Sequence, residues 1–440
     1  MTVRPSAPTT AAAPRRRRAL SAALTATAVL APTALVAAPA AAAPASPQAV
    51  RQVSADARAM PVGKLERLVK RLREDGKAVA VTAEVRQGGR TWTFDAGQAR
   101  RAPSVRAEPG ASFRAASVTK QLVAVLALQL VESGKWTLDT TIGDVDPGLW
   151  PGRESITLRQ LLSHTSGMPD HLLAVIGDAT TGKEFVRSVS RRMTDRQIID
   201  AGRSLPWAGE TGAFSYSNTG YVVVGQMLER ATGTRIRTLI EKRVLRPAGM
   251  SDSAFAVRKD APRPDLREYA RFPGRTLDLG SFEPSVFSSA GALVSTARDL
   301  NRFRRSLETG ELISKRLVRT MQTPVSDGGG LPYGLGSYRL PSPCGSGPGW
   351  VQGHDGASFG TLTFSVGLGK LRHVTIALTG RGYTEETLVA QGRLIQEFAY
   401  TALAATCADA GSDRRRTDPA ELPGLVDLQA TSFPASLPAS

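Results

Sequence analysis

Three short stretches of this chain carry side chains whose types and spacing could perform acyl transfer. The first is Ala116-Ser117-Val118-Thr119-Lys120, followed by an apolar run over residues 121–131. That run reads as a buried helix of about four turns, apolar nearly all round. Ser117 stands where a capping residue belongs, which gives a purely structural account of it. Lys120 offers another account. It lies one turn later on the same side, where a partly desolvated amine could take the proton of the serine hydroxyl. Only Lys120, among the lysines of the chain, has a serine three residues before it.

The second stretch is Phe214-Ser215-Tyr216-Ser217-Asn218-Thr219, just ahead of an apolar helix over residues 220–229. Tyr216 and Asn218 could present a phenol and an amide to one pocket. A phenol beside an ammonium is stabilised as phenolate and could act as general base. Small polar residues at a helix entrance also cap, and that reading stays open. The third stretch is Gln352-Gly-His-Asp-Gly-Ala-Ser-Phe-Gly360. Within it Gly356-Ala-Ser-Phe-Gly360 fits the Gly-x-Ser-x-Gly nucleophile elbow, which requires a strand, a sharp turn and then a helix. Residues 361–367 continue instead in strand rhythm. The competing reading makes His354-Asp355-Gly356 a strand edge lining a pocket, where glycine permits close approach and the N–H of Ala357 can face an oxyanion.

The elements that must position these groups are legible in outline. Helical spacing covers residues 63–73, and strands are expected over 78–85 and 91–94. Residues 112–115 form a short strand feeding the Ser117 helix, whose first N–H groups then point at whatever binds there. An amphipathic helix over 156–168 stops at Gly167 and Pro169 and carries His164 near its end, either as a base or as a packing histidine. Residues 172–203 read as a polar helical lobe and 258–285 as loop. A short strand, a cap at Ser295 or Thr296 and a helix follow from Ser289. Antiparallel strands over 333–378 and a closing helix over 385–404 complete the fold.

Composition bounds the function. The chain has 440 residues, 41% hydrophobic and 22% charged, with a formal charge of +17. The charge suits an anionic surface such as a cell envelope, or merely a solvated basic face. No basic cluster interleaved with aromatics and no zinc-finger spacing points to nucleic acid. Four histidines without a His-Glu-x-x-His arrangement give no metal site, and no cofactor is expected. Arg15 to Arg18 precede an apolar stretch over 19–31 and an alanine-rich zone to Ala45, the pattern of a secretory signal. Pro32 and Pro39 interrupt it, so no membrane span is expected. The expected organisation is a signal peptide over 1–45, a linker over 46–62, one domain over 63–405 and a disordered tail over 406–440. Export makes a disulfide between Cys344 and Cys407 plausible.

Ser117-x-x-Lys120, Tyr216-Ser-Asn218 and His354-Asp-Gly356, in that order and spacing, resemble the secreted serine D-alanyl-D-alanine carboxypeptidases and class C β-lactamases. Leu161-Leu-Ser-His-Thr-Ser-Gly167 and residues 289–300 add to the resemblance. It implies an α+β fold of the β-lactamase/transpeptidase type, an antiparallel sheet flanked by helices with a second, mainly helical region. It also implies Ser117 as nucleophile, with Lys120 and Tyr216 sharing its proton and Tyr216 protonating the leaving group. Asn218 would orient the substrate amide, and His354 and Gly356 would shape the site. The N–H groups of Ser117 and Ala357 would hold the oxyanion. One departure stands out. Asp355 occupies a position that is commonly threonine in the carboxypeptidases, and a carboxylate there would repel a substrate carboxylate. The resemblance favours a monomeric carboxypeptidase acting on cell-wall peptide. An esterase, a D-aminopeptidase, a β-lactamase or a non-catalytic wall-binding protein remain as alternatives.

Overall fold

The apolar run after Ser117 becomes the helix around which one core closes. In the computed structural model, which describes residues 60–177, 179, 181–257, 263–328, 330–344, 349–405 and 407, this helix is α2, Thr119–Glu132. All but its last few residues are buried, because leucine, valine and alanine occupy every face. The helix α1, Val62–Glu74, precedes it, and α3, Asn218–Thr232, packs beside it. Ser217 caps α3, accepting from the Gly220 N–H at 3.1 Å. Two more helices matter to the site: α4, Ala297–Thr309, capped by Thr296, and the closing helix α5, Glu385–Ala404, capped by Thr384.

A nine-stranded antiparallel sheet supports these helices. In chain order its strands are β1, Ala80–Gln87, β2, Arg90–Arg100, and β3, Val105–Arg106. The short β4, Phe113–Arg114, and β5, Leu293–Ser295, pair with each other outside that sheet. Then come β6, Ser326–Asp327, β7, Pro332–Tyr333, β8, Tyr338–Pro341, β9, Trp350–Ala357, β10, Thr361–Leu368, and β11, Arg372–Thr379. The spatial order is β3-β2-β1-β11-β10-β9-β8-β7-β6, so the first hairpin is completed by the last strand. α1 and α5 cover one face, where Leu65, Leu72, Val81, Ile376 and Phe398 are buried together. The helical region around α2 and α3 builds a second core with Leu122, Val125, Val222 and Phe359.

Several expectations shift on contact with the structure. The helix expected over 156–168 spans only Leu158–Leu162, and His164 beyond it adopts a left-handed φ of +58°. The segment expected as loop contains two paired strands, Tyr269–Phe272 and Arg275–Asp278, held by aromatic packing of Phe272 on Tyr383. The polar lobe is three helices, His171–Ile176, Gly182–Val189 and Asp195–Arg203. Cys344 and Cys407 are joined as a disulfide, tying the β8–β9 connection to the end of the closing helix. The expected signal peptide and the expected tail lie outside the described residues, apart from Cys407, and so does the linker before Met60. Among the described residues no helix is long and apolar enough to cross a membrane.

Candidate active site

Ser117 does not cap α2. It sits in a short helical turn, Ala116–Val118, entered through Ala116 at φ +47°, and that turn has no side-chain cap. A left-handed alanine is a costly conformation, held here by the close packing around it. The turn leaves the serine hydroxyl facing Lys120 instead of the helix backbone. Lys120 is fully buried and its Nζ donates to Ser117 Oγ (3.0 Å), Asn218 Oδ1 (2.7 Å) and the Ala290 carbonyl (3.0 Å). Burial pulls its pKa from the usual 10.5 down to about 7, against the opposing pull of Asp170 and Asp355. Two of its three acceptors have no proton to return. Once the amine is neutral, two N–H groups stay with Asn218 and Ala290, and the lone pair is left for the Ser117 hydroxyl. The geometry therefore aims the Lys120 amine at the Ser117 hydroxyl.

Tyr216 lies against the same pair, but not as a phenolate. Lys120 Nζ is 4.9 Å from the centre of its ring, on the face and not at the hydroxyl. Burial, then the Asp355 carboxyl, push the phenol well above its usual 10, and the Ser117 side chain is the one contact that favours its ionisation. The resting residue is a neutral phenol, which corrects the phenolate expected from sequence. Its buried hydroxyl makes no ordinary hydrogen bond and stands ready to donate one. His164 packs against the ring, with centroids 4.1 Å apart. Its Nδ1 accepts from the Ser217 N–H at 3.1 Å, and burial holds its pKa well below the usual 6.5. It is a neutral packing histidine, the second of the two readings.

Asn218 has a partner at each end of its amide, Oδ1 accepting from Lys120 and Nδ2 donating to Asp170 Oδ2 at 2.7 Å, which engages one of the two Nδ2 hydrogens. Asp170 caps the helix His171–Ile176 through the Leu172 N–H at 3.0 Å and was not singled out by sequence. A Pro-Asp pair ahead of apolar residues marks a helix start and gives no sign that its carboxylate reaches residue 218. The chain Asp170–Asn218–Lys120 fixes the amine in place.

The opposite wall is β9. β8 pairs with β9 only from Trp350 to Gly353, so the edge from His354 onward has no strand partner there and lies against the Ser117 turn. Gly356 makes this possible: a Cβ at that position would sit 2.3 Å from the Ala115 carbonyl oxygen. His354 is fully buried. The Asp355 carbonyl can only accept, so Nδ1 (2.5 Å) carries the proton and Nε2 accepts from the Tyr333 hydroxyl at 2.8 Å. Burial and then Lys120 push its pKa down to about 3, so it braces the wall without lending charge. Asp355 is also buried, and desolvation raises its carboxyl to about 7. Ala357 ends the strand. Beyond it Ser358 sits in the turn to β10 with its hydroxyl on Glu268, and a strand follows, so Gly356–Gly360 is not a nucleophile elbow.

Ser117, Lys120, Tyr216 and Asn218 thus meet at one point with the β9 edge beside them. A family model described as Beta-lactamase matches residues 65–399. The chain belongs to the beta-lactamase family. It is 27% identical over 275 residues to penicillin-binding protein 4 of Amycolatopsis lactamdurans, covering 57% of this chain and 68% of that one. It is 27% identical over 246 residues to PbpX of Bacillus subtilis, covering 56% of this chain and 58% of that protein's length. The structure of a D-stereospecific amidohydrolase from Streptomyces sp. superimposes with a TM-score of 0.64 at 25% identity, over 72% of this chain and 94% of the other. Membership of this family makes the chain a serine hydrolase with a β-lactamase/transpeptidase-like fold.

Proposed function

We propose that the chain forms an acyl-enzyme on Ser117 and acts on amides or esters of D-configured amino acids outside the cytoplasm. Lys120 takes the hydroxyl proton as Ser117 Oγ bonds to the carbonyl carbon, and the N–H groups of Ser117 and Ala357 stabilise the oxyanion. As the C–N or C–O bond breaks, the Tyr216 hydroxyl gives its proton to the leaving group, and the proton held on Lys120, whose amine lies on the ring face, restores the phenol through a solvent molecule. Water then attacks the acyl carbon with its proton passing to the same amine, which hands it on to Ser117 Oγ as the acyl C–O bond breaks, releasing the acid, free Ser117 and neutral Lys120.

One observation carries the choice of substrate: the buried Asp355 carboxyl lies within electrostatic reach of Lys120 and Tyr216, at the sequence position that is commonly threonine in the carboxypeptidases the chain resembles. With His354 neutral, Lys120 is the sole cation that faces this group among the residues described above. A substrate without a carboxylate beside the scissile bond suits that lining, and the likeness to a D-stereospecific amidohydrolase supports it. The second reading, a D-alanyl-D-alanine carboxypeptidase of cell-wall peptides, is favoured by the relatives named as penicillin-binding proteins. The signal pattern over residues 1–45 and the basic charge support extracytoplasmic action under either reading.

Initial rates on D- and L-alanine anilides, an N-acylated D-Ala-D-Ala peptide and a short nitrophenyl ester decide between them. Preference for the D-anilide over both its L-form and the peptide is expected. Faster release of D-alanine from the peptide establishes the carboxypeptidase instead. Intact-mass analysis showing no adduct on Ser117 with any substrate or with a penicillin leaves the wall-binding alternative.

A further inference from the structure

The two backbone donors assigned to the oxyanion come from segments 240 residues apart in the chain, Ser117 and Ala357. Catalysis by such a pair depends on their separation being fixed to a fraction of an ångström. Gly356 sets how closely the segments approach but gives no directional tie between them. A single buried side chain, remote from both in sequence, supplies one.

Glu268 is 3% exposed and lies just ahead of the strand Tyr269–Phe272. One carboxylate oxygen accepts from Arg114 Nε at 2.7 Å, and Arg114 ends β4 three residues before Ser117. The other oxygen accepts from the Ser358 hydroxyl, the Thr361 hydroxyl (3.0 Å) and the Gly360 N–H (3.3 Å). Ser358 directly follows Ala357. Both sides of the carboxylate are thus occupied, one by the segment that leads into Ser117 and one by the turn that leaves Ala357.

The surroundings make the tie stiff. The Arg114 guanidinium also packs over the Phe282 ring at 4.7 Å, and its own carbonyl accepts from the Thr363 hydroxyl at 3.3 Å. Arg381 donates to the Ser358 carbonyl at 2.9 Å. The segment carrying Glu268 is itself pinned, with the Leu266 N–H on the Ser112 carbonyl (3.0 Å) and the Arg267 N–H on the Ala99 carbonyl (2.9 Å). A Cβ at Gly360 would lie 2.7 Å from the Glu268 Cβ, so the turn is pressed against the glutamate with no room to slide.

We propose that Glu268 is a positioning residue for the oxyanion site, bridging Arg114 and the Ser358–Thr361 turn so that the Ser117 and Ala357 N–H groups keep their catalytic separation. It rests on the acyl-serine reading above and adds a group that never touches substrate. Glu268→Gln keeps the shape and an acceptor for the hydroxyls but removes the charge that holds Arg114.

The test uses the full chain with its fastest substrate and a boronic acid that forms a tetrahedral adduct on the nucleophile. For Glu268→Gln, kcat is expected to fall about tenfold to a hundredfold, boronate affinity to fall in parallel and KM to stay within about twofold. Ser358→Ala, which loosens the turn side alone, is expected to lose about threefold to tenfold in the same pattern. It carries the test should Glu268→Gln fail to fold. Wild-type kcat and boronate affinity in the folded variants, with Ser117→Ala inactive, overturn the bridging role. Equal losses in KM and kcat, without a selective loss for the boronate, also overturn it by showing general disruption. Turnover retained by Ser117→Ala overturns the acyl-serine reading itself.

Discussion

On the helix wall of the site Lys120 meets three acceptors and Asn218 meets two partners, whereas on the strand wall Gly356 meets the backbone of Ala115 with no side chain between them. The first wall works by satisfied polar contacts in a dry environment. These hold a low-pKa amine at one orientation while leaving its third position free for proton transfer. The second wall works by exclusion. Its imidazole, His354, is neutral, and Gly356 lets a strand edge lie against a strained turn. Placement of the amine therefore depends on polar contacts on one side, and placement of the strand edge on the absence of a side chain at Gly356 on the other, and the two dependences fail differently under mutation.

The largest expected effect is on the helix wall. Ser117→Ala removes the nucleophile and is expected to lower kcat by about 10⁴-fold or more, with no acyl adduct in intact-mass spectra. Lys120→Ala should cost about 10³-fold in kcat, because the hydroxyl loses its base. On the strand wall, Gly356→Ala forces β9 away from Ala115 and should cost about 10²-fold in kcat/KM through misplaced donors, measured with the same substrate. A near-normal rate for that variant would remove the steric account of the strand wall.

Two smaller effects sharpen the contrast. In the proposed mechanism the active form of Lys120 is the neutral amine, so kcat/KM should rise with pH through about 7 and level above it. Asp170 raises the Lys120 pKa, so Asp170→Asn should move that rise to lower pH while reducing kcat about tenfold through a loosened Asn218. A limb that moves to higher pH, or not at all, contradicts the assignment of the titrating group. Tyr333→Phe leaves His354 Nε2 without its donor and should cost about 1–2 kcal/mol in unfolding free energy, leaving the pH profile in place.

Much of this arrangement was legible in the chain because it rests on local pattern. The all-round apolar helix after Ser117, the alternation over 333–378 and the closing helix all follow from periodicity, and the three motifs lie at its junctions. What was not legible depends on contacts across the fold. Asp170 looks like any helix cap until residue 218 is brought beside it. The phenolate expected for Tyr216 required knowing which part of the ring the amine would meet, and the structure puts it on the face. The strands Tyr269–Phe272 and Arg275–Asp278 were hidden by charge and proline, since their packing comes from Phe185 and Tyr383 elsewhere in the chain.

The bond between Cys344 and Cys407 closes a covalent ring that includes β9, β10, β11 and the whole of α5. A protease that nicks the chain anywhere within that loop releases no fragment until a reductant is added. One wall of the site stays tethered to the other after backbone scission.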